Sequence, residues 1–149
     1  MSVQRFRRLH ELRLMQEHQA ALVLAARLSD LEQTERQHAQ LDHYLRLYID
    51  TQIPQDVWQI KQLAAMRRQL RTALEEQALR IRAAELQVEQ ARTGWRAAHQ
   101  ASAALAKLIE RRQHAEDIAD GRRQQNEQDA WATRLAFQRQ QAESSGRGS

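Results

Sequence analysis

Between Ser2 and Ile53 the chain contains neither glycine nor proline, and apolar or small side chains return at helical spacing. Leu14, Ala21, Leu24, Leu28, Leu31, His38, Leu41, Leu45 and Tyr48 line one face, which predicts a first long helix. Its middle, Glu32 to Gln40, is polar on nearly every side, so the stripe thins there and pairing should be locally weak. The break falls at Asp50-Thr51-Gln52-Ile53-Pro54-Gln55-Asp56, which holds the only proline. A cap at Asp50 or Thr51 followed by Pro54 in a first helical turn, with Asp56 at the positive end of the dipole, is the expected start of a second helix.

The second helix carries the strongest pattern. Alternating steps of three and four from Ile60 reach Leu63, Arg67, Leu70, Leu74, Gln77, Ile81, Ala84, Val88, Ala91, Trp95, Ala98, Ser102, Leu105, Ile109 and Arg112, and twelve of these sixteen positions are apolar. A 3.5-residue period held this long makes a helix supercoil against another helix. Gly94 lies inside the run at a cost of about 1 kcal/mol relative to alanine and need not mark a hinge.

A short connection forces neighbouring helices to run antiparallel. The first helix, being shorter, is expected to cover the second only to about residue 105. Beyond it lies an arm from Glu110 to Ala130 nearly devoid of apolar side chains, followed by a small apolar patch of Trp131, Leu135 and Phe137. The fold class is therefore all-α, a long antiparallel two-helix coiled-coil hairpin with an extended C-terminal helical arm. Its predicted organisation is a single coiled coil over about 1–143, with helix one about 3–50, the turn about 51–55 and helix two about 56–140. Residues 144–149, rich in serine and glycine, are expected to be a disordered tail.

Composition agrees with this reading. Ala, Glu, Lys, Leu and Arg make up about half of the 149 residues, as in long helices, and aromatics are only 5%. There is no cysteine, hence no disulfide framework and no thiolate metal site, and the cytoplasm is the expected compartment. The longest apolar run, Ala20 to Ala26, is far short of the roughly 20 residues a membrane span needs, so no direct membrane insertion is expected. The basic N-terminus lacks the apolar core of a secretory signal and reads as mature protein.

Candidate chemistry is sparse. A two-helix assembly offers no pocket in which a catalytic group could be desolvated, so the chain is not expected to be an enzyme. No two of the six histidines stand at i, i+4, and there is no phosphate-binding glycine motif, so neither metal nor cofactor is expected. The clusters Arg5-Phe6-Arg7-Arg8, Arg67-Arg68, Arg111-Arg112 and Arg122-Arg123 raise nucleic acid as a partner. Acidic residues interspersed among them leave no continuous basic stripe, and nucleic acid is not the expected partner. Tyr44 and Tyr48 share a helical face near the connection, with Trp58 just past it. The three either plug the end of the hairpin or form a docking patch, since exposed Tyr and Trp anchors dominate binding energies.

The order and spacing of RFRRLHELR, LDHYLRLY, GWRAAHQASAALAKLIERR and QQNEQDAWATR, together with the chain length, resemble the FliJ/YscO family of type III export proteins. The resemblance implies a non-enzymatic, stalk-like antiparallel coiled coil of the flagellar type III export apparatus. In that role it binds the hexameric flagellar export ATPase, promotes its assembly, couples it to the cytoplasmic domain of the export gate membrane protein, and escorts export chaperones. It would thereby support flagellum assembly, motility and chemotaxis, sitting in the cytoplasm at the cytoplasmic face of the inner membrane at the flagellar base.

The same resemblance implies an export-gate face at Gln37, Leu41, Tyr44 and Tyr48 on the first helix and Met66, Leu70, Ala73 and Gln77 on the second, where Met66 and Gln77 depart from the family's Phe and His. The stalk analogy places Arg5, Arg7 and Arg8 at the end that enters the ATPase, where the chain termini meet, together with Asp129, Trp131 and Arg134. The alternatives are an equivalent YscO-type stalk of a virulence injectisome, a nucleic-acid-binding coiled coil, and a filament-forming coiled coil, the last opposed by the polar break at Glu32 to Gln40.

Overall fold

A computed structural model describes residues 3–147. Helix α1 (Val3–Tyr44) passes directly into a π-helical turn (Leu45–Ile49), and α2 (Val57–Arg147) follows a connecting segment. There is no strand among the described residues. The all-α hairpin of two long helices is therefore the fold. The chain divides into two compact units, Glu11–Ser102 and Met1–His10 with Ala103–Ser149.

In the Glu11–Ser102 unit the helices run antiparallel. Glu17 of α1 meets His99 and Ser102 of α2, and the Ile49 carbonyl accepts a bond from Arg67 Nη2 at 3.2 Å. The inward face of α2 follows the predicted 3.5-residue stripe from Leu63 through Ser102, with Val88 and Ser102 fully buried. On α1 the inward positions are Glu17, Ala20, Ala21, Leu24, Leu31, Thr34, His38, Leu41, Leu45 and Ile49. Leu14 and Leu28, expected on the seam, lie at its edge and are exposed, because the seam runs through Glu17 and Ala20 instead.

The connection differs from the expected tight turn. Ile49 pairs with Arg67, so the ten residues Val57–Met66, about 15 Å of helix, precede that pairing. Gln52 and Ile53 of the connecting segment lie near Trp58, Leu63 and Met66, while Ile60, although on the stripe, is exposed. Pro54 lies before the helix rather than in its first turn. The cap is Asp56, whose Oδ1 accepts the Gln59 amide at 2.7 Å, while Gln59 Oε1 accepts the Gln55 amide at 2.8 Å. Together they satisfy two donors at the helix start, as in a capping box.

In the other unit Arg7 Nη2 donates to Gln113 Oε1 at 3.3 Å and the Arg112 guanidinium lies 4.5 Å above the Phe6 ring. Pairing thus extends to Gln113 and not only to about residue 105, as the overshoot of α2 at the connection requires. From His114 to Arg147 every side chain is exposed except Leu135. The helix continues past residue 143, through the start of the segment expected to be a disordered tail, and Gly148 and Ser149 lie outside the described residues.

Candidate functional site

The π-helical turn decides what the loop end of the hairpin presents. Such a turn accommodates one extra residue, so the inward sequence steps from Leu45 to Ile49 instead of to Tyr48. Ile49 is 1% exposed, whereas its neighbour Tyr48 is 53% exposed and Tyr44 40%. The two tyrosine rings contact each other, with centroids 5.2 Å apart and planes inclined by 35°. They are outside the seam, and their pairing fixes both rings on one face. The turn is anchored from α2: Arg67 donates to the Ile49 carbonyl and approaches Asp50 Oδ1 at 3.4 Å, placing a cation where the helix presents unpaired carbonyls.

The antiparallel pairing at Ile49 and Arg67 sets residues 37–48 of α1 alongside 66–77 of α2, so the two halves of the expected gate face occupy the same stretch of the hairpin. Gln37, Tyr44, Tyr48 and Met66 are exposed. Leu41, Leu70, Ala73 and Gln77 are half-buried. His38 Nδ1 and Gln77 Oε1 are buried without a hydrogen-bond partner among the described residues, a polar layer inside the seam. Beyond Arg67 the uncovered tip adds Ile53, Val57, Trp58 and Ile60, all exposed. Gln52, Ile53, Trp58, Leu63 and Met66 line a hollow of about 300 Å³. Trp58 makes no ring contact with either tyrosine, so it does not plug the end of the seam. The tip was hidden from sequence reasoning because it depends on how far α2 overshoots α1.

In the unit that holds the N-terminus, the contacts of Arg7 with Gln113 and of Phe6 with Arg112 bring the segment of Arg5, Arg7 and Arg8 to that of Arg111 and Arg112, about a hundred residues away in the chain. None of these five arginines forms an ion pair among the described residues. Over 3–10 and 103–113 they and Lys107 face a single acid, Glu110, so this short region concentrates positive charge in a chain of net charge +4. The other expected ATPase residues are not brought to it. Asp129 is about 24 Å further along α2 than Gln113. There its carboxylate accepts Gln125 Nε2 at 3.3 Å, and Trp131 and Arg134 are exposed beside it.

Among the described residues no group of three or more His, Asp or Glu side chains could hold a metal ion, and no helix is long and apolar enough to cross a membrane. No curated protein and no solved structure matches the chain. The family described as Flagellar FliJ protein matches residues 1–141, nearly the whole length, and this agrees with the helical hairpin. The chain therefore belongs to the FliJ family and is a non-enzymatic component of the flagellar export apparatus.

Proposed function

We propose that this protein is the stalk-like coupling factor of flagellar export. The unit containing the N-terminus engages the hexameric export ATPase and promotes its assembly, while the loop end of the hairpin docks on the cytoplasmic domain of the export gate. The observation that carries this reading is the outward tyrosine pair: Tyr48 is exposed one residue away from Ile49, which is 1% exposed. Exposed aromatic anchors of this kind supply most of the energy of a protein interface. Arg5, Arg7, Arg8, Arg111 and Arg112, none of them in an ion pair among the described residues, support an acidic partner surface at the other unit. Asp129, Trp131 and Arg134 would add a second contact further along α2, and export chaperones would be escorted by the same protein. In this role it works at the cytoplasmic face of the inner membrane.

Hydrolysis and hexamer formation by the flagellar export ATPase, measured with and without the chain, test the proposal. Stimulation is expected, and Arg5→Glu/Arg8→Glu should abolish it. Tyr44→Ala/Tyr48→Ala should leave stimulation intact and weaken gate binding by tenfold or more, about 1.4 kcal/mol or above. Unchanged gate affinity would return the tyrosines to a packing role. The same arginines could face nucleic acid; no retention of random duplex at low salt removes that reading.

A further inference from the structure

Small side chains are interspersed along the seam of the Glu11–Ser102 unit, with Ala20, Ala84, Ala91 and Ala98 all facing inward. Such contacts repeat every heptad and discriminate poorly between alignments seven residues apart. The loop end sharpens the problem. Sliding α1 by one heptad toward the start of α2 would set Ile49 against Ile60, now exposed, and cover part of Val57–Met66. The shifted alignment would uncover Ile109 in exchange, so apolar burial by itself discriminates little between the two.

The polar residues oppose it. Glu17 Oε2 accepts the hydroxyl of Ser102, a side chain 3% exposed, at 2.5 Å, and Glu17 Oε1 lies 2.6 Å from His99 Nδ1. The His99 ring is itself stacked on Trp95, with centroids 5.0 Å apart and planes 10° from parallel, so it is held in place. A one-heptad shift would put Trp95 where the buried Ser102 stands, an indole too bulky for the space a serine fills, and Arg92, which now pairs with Glu89, where His99 stands. His38 and Gln77, which lie at one level, would instead face Leu70 and Leu31.

We propose that the Glu17–His99–Ser102 cluster is a register lock, holding the hairpin in the alignment that leaves the first turns of α2, with Trp58 and Met66, uncovered. A partly buried polar group that fixes register at some cost in stability is a well-attested device in coiled coils. The lock is a property of the hairpin itself and holds whatever binds the tip.

The chain has no native cysteine, so Arg27→Cys/Gln90→Cys places nitroxide labels at two exposed positions at one level of the hairpin. Dipolar EPR on the full chain should show one narrow distance. Adding Glu17→Leu/Ser102→Ala should introduce a second population with the labels displaced by about 10 Å along the axis, and should slow amide exchange over residues 57–66. Glu17→Gln, which keeps an oxygen acceptor, should retain the single distance. A leucine variant with the parental distance and unchanged exchange overturns the proposal, as does a glutamine variant that shifts as far as leucine. If the double variant loses its far-ultraviolet helical signal, Ser102→Ala alone carries the test with the same two readings.

Discussion

Ile49 and Tyr48 are neighbours in sequence, and the structure assigns them opposite roles. Ile49→Ala removes three buried carbon groups, about 2.4 kcal/mol at roughly 0.8 kcal/mol each, and leaves a void between the π-helical turn and α2. The void adds a cavity term, and the two-helix seam can close part of it, so a loss of about 3 kcal/mol is expected. Tyr48→Ala removes a ring already half in water, whose loss is chiefly its contact with Tyr44, about 0.5–1 kcal/mol. For a chain of this size the two losses correspond to shifts in Tm of about 10 °C and about 3 °C. Thermal and urea unfolding of both variants, followed by circular dichroism at 222 nm, measures the difference. An uninterrupted α-helix stepping three residues from Leu45 would bury Tyr48 instead. A Tyr48→Ala loss equal to or larger than that of Ile49→Ala would therefore refute the outward placement of the tyrosines.

Other expectations are simpler. Asp56→Ala deletes the acceptor for the Gln59 amide and should cost about 1 kcal/mol in urea unfolding. Gly94→Ala adds a methyl group where nothing lies within 4 Å and should stabilise by about 1 kcal/mol, read from the same transition. Truncation after Gln113 removes a stretch in which Leu135 alone is less than fully exposed, so the melting temperature should stay within a few degrees of the parent. The same truncation should reduce ATPase stimulation if Asp129, Trp131 and Arg134 act there.

Much of this architecture is local and therefore legible in the chain. A 3.5-residue period from Leu63 to Ile109 needs no knowledge of the partner, because a helix whose apolar positions fall on one stripe must bury that stripe against something. The family resemblance was readable for the same reason: it rests on order and spacing along the chain. The stripe fails as a guide at its ends. Ile60 sits on it and is exposed, since burial there depends on where the first helix ends and not on the period of α2, while near Arg112 the half-buried position is Gln113. Leu14 and Leu28 were misplaced because an alanine-rich helix offers two overlapping stripes, and α2 chooses between them.

By itself, then, the sequence determined two long helices, a break near Pro54, an antiparallel seam and a polar, uncovered C-terminal arm, all consequences of backbone propensity and side-chain period. Only the tertiary structure decided the alignment of the helices. From that alignment follow the overshoot that exposes Trp58 and Met66, the contacts of Arg7 with Gln113 and of Phe6 with Arg112, the partners of Glu17, and the π-helical turn that puts Ile49 inside and Tyr48 outside. Seam contacts repeat every seven residues, so many alignments bury similar apolar area; the choice among them rests on a few polar pairs between residues some twenty to a hundred positions apart, which no periodicity along one helix encodes.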